Sequence, residues 1–300
     1  MYLDKLELVD ENVNRNLIQR IQNRFSQDEW FPLGFFAKKR LARVDFDNIT
    51  IFYGGNGSGK STLLSIIAEK LNLRRHAETA LTGAFYDYCD GCTVRSKGLP
   101  PGSKMLTSED VFKNIFDTRS TNNKITEQKA DLEDSFEYGT NDFIYDDFDN
   151  SNLVSKKLVK RSFVEKNVGI KERQYSNGEN ALRFFKEQIQ KKALYLLDEP
   201  ENSMSPKFQL ELKEYLEDCA QYNNCQFIIA THSPFILALS EAKIYALDDT
   251  PVTVRKWFDL PNIRLYQKFF NDHKHLFEIE DWDGKVKATA PKKVIATVKK

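Results

Sequence analysis

The sequence has no long apolar run, few cysteines and no excess of charge of either sign. No stretch approaches the roughly 20 apolar residues that cross a bilayer, which speaks against a membrane-embedded chain. The opening residues, MYLDKLELVDENVNRN, have neither a basic start nor an apolar stretch, so no secretory signal is expected. Four cysteines without regular spacing give no disulfide framework and point to a reducing, cytoplasmic setting. The 44 basic residues balance 44 acidic ones, so nucleic acid is not held by bulk attraction, and only a local basic patch is open for that purpose. No heptad pattern persists, which excludes a long coiled coil. At 300 residues and 41% hydrophobic, the chain is large enough for one big domain or two modest ones.

Against this background one stretch is unusual. IFYGGNGSGKSTLLSIIAEKL, Ile51 to Leu71, holds four glycines in six positions and then turns helical. Glycines so dense weaken any regular element, so bare backbone must be needed there. Gly54 to Ser61 fit G-x-x-x-x-G-K-[ST], between an apolar β-branched run and a helix with Leu63, Leu64, Ile67 and Leu71 at helical spacing. A loop that wraps a phosphate must turn successive N–H groups inward, and the following helix adds its dipole and free N–H groups. Gly54, Gly55, Asn56, Gly57, Ser58, Gly59, Lys60, Ser61 and Thr62 are therefore the expected cradle. Lys60 reaches the β- and γ-phosphates, and the Ser61 hydroxyl holds Mg²⁺. The bland alternative is a glycine-rich turn.

Two further strands end in chemistry. Ala193–Leu197 reads as a buried parallel strand followed by Asp198-Glu199. Acids at that place are costly unless they have work to do. Asp198 suits the Mg²⁺ shell and Glu199 a general base for the attacking water, since phosphoryl transfer needs positioning and charge compensation. Read alone, they are two surface acids. Gln226–Ala230 is a second such strand, with Thr231-His232-Ser233-Pro234 at its carboxyl end, where ligands bind in open α/β sheets. His232 is thus placed to sense the γ-phosphate. His76, His273 and His275 keep the structural or solvated reading.

The ordered set GGNGSGKST, YSNGEN, LYLLDEPENSMSP and ATHSP resembles the ATP-binding-cassette ATPase superfamily, in the soluble branch of SMC, RecF and OLD-type ATPases. It is most similar to the small stand-alone "AAA-family" ATPases of bacteria. The resemblance covers the two halves flanking residues 74–172. It implies an α/β P-loop NTPase with a mostly parallel sheet, some antiparallel strands near the N-terminus and an inserted helical subdomain. It also implies ATP and Mg²⁺ as ligands and a head-to-tail homodimer on ATP binding. Carried over, Ser176 contacts the γ-phosphate of the opposite protomer, Gly178 supplies an N–H, and Glu179 belongs to the same signature. Without the resemblance, Ser176 to Glu179 is a helix cap with an acid in its first turn.

Departures from the family pattern lie at Ser205, where an aspartate is usual, and at the Q-loop. No convincing glutamine is found there, and Ser108, Glu109 or Asp110 is the candidate stand-in. Trp30, Phe31, Phe35 and Phe36 are candidates for stacking on adenine, with core packing as their competing role. THSP and EPENS suit the DNA-maintenance and phage-defence branch. The implied function is a cytosolic ATP switch for a protein effector such as a nuclease, with nucleic acid as an open ligand. Competing readings are the cassette subunit of a membrane transporter and an ATP-gated scaffold without turnover.

The expected layout is a nucleotide-binding core over 1–73 and 176–260, a helical subdomain over 74–175, a C-terminal helix over 261–284 and a basic tail over 285–300. A capping pattern at Thr107 or Ser108 opens a helix. The acidic segment 138–152 reads as loop. The basic run with Lys156, Lys157, Lys160 and Arg161 reads as a solvated helix face, with contact to nucleic acid or a partner protein as the alternative. Cys89 and Cys92 form CDGC, and free thiols are favoured over a zinc site that would need two more ligands.

Overall fold

The computed structural model describes residues 1–21, 30–73, 82–140 and 175–277. The acidic segment, the basic run and the tail beyond 277 lie outside these, apart from the first few residues of the acidic segment. The chain divides into two units, Met1–Lys256 and Trp257–Lys300.

The first unit opens with strand β1 (Leu3–Glu7), helix α1 (Glu11–Ile21), a short α2 (Phe35–Lys38), β2 (Arg43–Asp45) and β3 (Ile49–Tyr53). Every residue of β3 is buried, as an apolar, β-branched run between two neighbouring strands should be. Helix α3 (Lys60–Lys70) follows the glycine loop and buries Leu63, Leu64, Ile66 and Ile67. Its apolar residues surround it, and it touches the large sheet as well as strand β4 of the small one. Each such side chain contributes about 1.5–3 kcal/mol on burial.

Next come α4 (Gly83–Gly91), β4 (Thr93–Ser96), β5 (Lys104–Thr107) and α5 (Ser108–Thr140). After them are α6 (Asn177–Gln188), β6 (Leu194–Asp198), α7 (Pro206–Tyr222), β7 (Gln226–Thr231), α8 (Pro234–Leu237), β8 (Lys243–Ala246) and β9 (Thr253–Arg255).

Two sheets result. A small antiparallel sheet has the order β2-β1-β4, and a large one has the order β5-β6-β7-β3-β8-β9. The large sheet is parallel except for β9, which runs antiparallel at one edge. The fold is thus the α/β P-loop architecture expected from the sequence. Gln226 joins the sheets. Its carbonyl accepts from the N–H groups of Tyr2 (2.7 Å) and Leu3 (2.9 Å), and its amide donates to Leu3 O (2.8 Å) and Asp47 O (3.1 Å).

The helical subdomain is shorter than the expected 74–175. Strand β4 pairs with β1, and β5 with β6, so residues 93–107 complete the sheets. Four-residue strands carry too little pattern to be read alone. The helical part begins at Ser108, where Thr107 and Asp110 cap the helix reciprocally: Asp110 Oδ2 accepts from Thr107 N (2.8 Å) and Thr107 Oγ1 from Asp110 N (3.3 Å). The second boundary falls after Lys256 rather than after residue 260, because the turn Trp257–Asp259 goes with the following helix. In that unit α9 (Pro261–Asp272) buries Ile263 and leaves Leu265, Phe269 and Phe270 exposed. No described helix is long and apolar enough to cross a membrane.

Candidate nucleotide site at the carboxyl ends of three strands

Strands β3, β6 and β7 are neighbours, and their carboxyl ends carry the glycine loop, Asp198-Glu199 and Thr231-His232. Register fixes the alignment, with Asp198 beside Ala230 and Thr107 beside Asp198. Residues read from separate stretches of sequence therefore meet in one place.

The loop has the form a phosphate requires. Gly57 and Gly59 have φ of 77° and 99°, left-handed values that aim successive N–H groups to one side. Space at Gly57 is open, and Gly55, Asn56 and Gly57 face solvent. At Gly59 an added Cβ would lie 2.6 Å from Phe35 and 3.0 Å from Phe36, and at Gly54 it would lie 2.5 Å from Ser58 Oγ. These aromatics pack behind the turn. Phe36 is fully buried and so belongs to the core rather than to an adenine site. Phe31 is exposed and meets Phe35 edge-on at 5.3 Å.

Lys60 opens α3 and is 5% exposed. Its Nζ donates to Gly54 O (2.8 Å) and Gly55 O (3.1 Å) and lies 3.8 Å from Glu199 Oε1. Ser61 Oγ donates to Asp198 Oδ1 at 3.0 Å. A hydroxyl and a carboxylate side by side are the hard oxygen donors Mg²⁺ takes, with phosphate oxygens and water for the remainder, so these residues fit the ion. Burial pushes the Asp198 carboxyl up to about 6, against the Ser61 hydrogen bond, with Glu199 and Glu109 adding to the rise. A carboxylate so disfavoured as an anion gains from a cation beside it.

Glu199 sits at φ 46°, a left-handed value rare for a side-chain-bearing residue and concentrated at functional sites. Its N–H donates to Ala230 O (2.9 Å), and its Oε2 accepts from Asn202 Nδ2 (3.2 Å). Its Oε1 is 3.6 Å from His232 Nδ1. One oxygen, Glu199 Oε1, thus lies within 4 Å of both Lys60 Nζ and His232 Nδ1.

Ser176 and Glu179 lie at the start of α6, where Ser176 Oγ accepts from Glu179 N at 3.3 Å as a helix cap. Arg119 Nη2 donates to Asn177 Oδ1 (2.7 Å), tying this start to α5. Among the described residues no hydrogen bond or ion pair joins Ser176, Gly178 or Glu179 to the glycine loop of the same chain. Gly178 is buried. A Cβ there would lie 2.9 Å from Ser203 O and 3.1 Å from Phe208, so glycine is needed for α6 to approach the segment after β6.

Of the three residues at the Q-loop place, Asp110 is buried as a helix cap, while Glu109 is exposed and its charge acts on Asp198. Ser205 precedes α7 and makes no side-chain capping bond. Cys89 and Cys92 are buried and not in a disulfide, and burial pushes Cys92 up to about 12. No cluster of three metal-ligating residues occurs among the described residues.

Two residues escaped the sequence reading. Asp248, just past β8, accepts the Gly55 N–H at 2.9 Å through Oδ2. Glu201 is buried beneath His232. The EPENS run held a signal for Glu201, a third acid just past the carboxyl end of a buried strand. Asp248 had none, being 193 residues from its partner.

The family model described as ABC transporter matches residues 42–202, and that described as AAA ATPase domain matches residues 168–237. Among solved structures, one neighbour is the Smc head domain with an extended coiled coil, bound to the C-terminal domain of ScpA, from Pyrococcus furiosus. It is 14% identical, over 91% of this chain and 99% of that one, with a TM-score of 0.43. The SMC head domain from Thermotoga maritima is 13% identical over 85% and 99%, with a TM-score of 0.36. The cbiO1 protein from Clostridium perfringens, part of the ABC transporter complex cbiONQ, is 15% identical over 79% and 90%, with a TM-score of 0.38. No curated protein matches the chain.

Proposed function

The chain belongs to the ABC transporter family of ATPases, and on that premise we propose that it is a Mg²⁺-dependent ATP switch that dimerises head-to-tail on ATP and controls a soluble effector. The observation that carries this reading is the meeting of Lys60, Ser61, Asp198, Glu199 and His232 at the ends of three adjacent strands. Lys60 and the N–H groups of Gly57 to Thr62 bind the β- and γ-phosphates. Ser61 and Asp198 hold Mg²⁺, which when bound offsets charge on the phosphate oxygens. Glu199 orients the attacking water and accepts its proton as ADP leaves. His232 contacts the γ-phosphate from the β7 side and reports its loss.

The signature completes the site from a second copy. Among the described residues Ser176, Gly178 and Glu179 have no hydrogen bond or ion pair to the loop of their own chain, which supports a role toward a partner's nucleotide. The helix cap leaves the Ser176 hydroxyl hydrogen free to donate. The output is a cytoplasmic effector such as a nuclease in DNA repair or phage defence, a reading that rests on the THSP and EPENS motifs. Nucleic acid is a further candidate ligand.

The test is Glu199→Gln. Expected are ATP binding at wild-type strength, turnover at least about tenfold slower, and a dimer in the presence of ATP. Unchanged turnover overturns the assignment of the base. The trapped protein, tagged and recovered from its own host with ATP, then reports the output. A soluble effector supports the switch, and a permease replaces it with transport.

A further inference from the structure

We infer that Glu201 is the positioning residue for His232: it builds the Thr231-His232-Ser233 turn and so holds the imidazole against Glu199. The inference deepens the function proposed above and rests on its assignment of His232.

Glu201 lies three residues past Asp198, and its side chain is 5% exposed. Among the described residues no lysine or arginine pairs with it. Instead a single oxygen, Oε1, accepts three hydrogen bonds from one turn. These come from the Thr231 hydroxyl (2.5 Å), the His232 N–H (3.2 Å) and the Ser233 N–H (3.2 Å). The other oxygen, Oε2, is buried without a partner. A carboxylate buried on such terms is costly, so Glu201 is a poor choice for core packing alone. Its bonds all serve the residues that set the histidine backbone.

The histidine depends on that backbone. Its ring is 49% exposed and makes no hydrogen bond among the described residues. Its Nδ1 lies between Glu199 Oε1 at 3.6 Å and Glu201 Oε1 at 3.8 Å. The direction of the ring therefore follows from where the turn puts the Cα. On the far side the turn is anchored by Ser233, whose Oγ donates to Gln209 Oε1 (2.6 Å) and accepts from Phe235 N (3.2 Å) in the first turn of α8. Glu201 itself is fixed through its carbonyl, which accepts from Met204 N (3.0 Å) in the segment that packs on Gly178. One carboxylate thus links the segment after β6, which touches the signature helix, to the residue assigned to the γ-phosphate.

The test compares turnover and ATP affinity in His232→Ala, Glu201→Ala, Glu201→Gln and the double variant Glu201→Ala/His232→Ala. Glu201→Ala is expected to lose turnover within about threefold of the loss in His232→Ala, with ATP affinity changed less than about threefold, because the phosphate loop is untouched. Glu201→Gln keeps the accepting oxygen and is expected to retain most of the turnover. The double variant is expected to be no slower than His232→Ala, since a residue that acts through the histidine has nothing left to act on. Wild-type turnover in Glu201→Ala beside an impaired His232→Ala overturns the inference and leaves the proposed function standing. Losses that multiply in the double variant also overturn it. Wild-type turnover in His232→Ala overturns the histidine assignment itself. Should Glu201→Ala fail to fold, Thr231→Val removes one donor at equal volume. A severalfold slower turnover at unchanged ATP affinity supports the inference, and unchanged turnover overturns it.

Discussion

At the residue scale, Asp198 brings together what the site costs and what it gains. Its carboxyl has an ordinary value of 3.8 and is pushed up to about 6 by burial at the end of β6. An acid with a higher pKa folded than unfolded binds its proton more tightly in the native chain. The contribution of Asp198 to native stability therefore falls as pH rises from 3.8 through about 6, and the deficit persists above that. Asp198→Asn keeps an oxygen for the Ser61 hydroxyl and removes the buried charge. It is expected to stabilise the nucleotide-free protein at pH 7.5 by about 2 kcal/mol, to lose that gain at pH 4, and to abolish hydrolysis. Thermal unfolding at the two pH values, with an ATPase assay at the higher one, checks this. The charge that matters here was legible from the sequence, since Asp-Glu after a five-residue apolar run is a local pattern. The same is true of Lys60, whose spacing from the glycines is covalent. Asp248 was not legible, because the bond it makes to Gly55 N–H exists only once β8 is paired with β3.

At the element scale, the long buried strands could be read, while β4 and β5 could not. β3, β6 and β7 are each five or six residues of nearly continuous apolar sequence, and all three fall where the pattern placed them. β4 and β5 are four residues each, and Lys104-Met105-Leu106-Thr107 becomes a strand only because β6 offers its edge. Tertiary pairing overrides a weak local preference there. Gln226 shows the same limit on one side chain. It begins a buried strand and reads as the polar end of an apolar run, yet it uses two donor and two acceptor contacts to tie β1 and the start of β3 to β7. Gln226→Leu would fit the volume but leave the Tyr2 and Leu3 N–H groups and the Leu3 and Asp47 carbonyls without those partners. The expected loss is about 2–4 kcal/mol, read as a lower denaturation midpoint, with the strand ends at the nucleotide site less affected than the N-terminal sheet. Hydrogen exchange that is faster in β1 and β2 than in β7 is the pattern this predicts.

At the scale of the whole molecule, the function proposed above draws its active site from two chains. The glycine loop, Asp198, Glu199 and His232 converge, while Ser176, Gly178 and Glu179 serve their own helix and the segment after β6. If the signature acts across a two-fold axis, damage to the loop and damage to the signature must complement when carried on different protomers. Lys60→Ala removes the loop's ammonium, and Ser176→Arg fills the space where a neighbour's phosphate would sit. Each variant alone has two defective sites per dimer. A mixed dimer concentrates both lesions in one site and leaves the other intact, because the unaltered loop of one protomer faces the unaltered signature of its partner. With random pairing, half the dimers are mixed and each has one working site, so an equimolar mixture is expected to recover about a quarter of wild-type ATPase activity. Recovery should rise with total protein concentration, since pairing is bimolecular. A mixture as inactive as its components would mean that Ser176 does its work within its own chain, as the cap of α6 and nothing more.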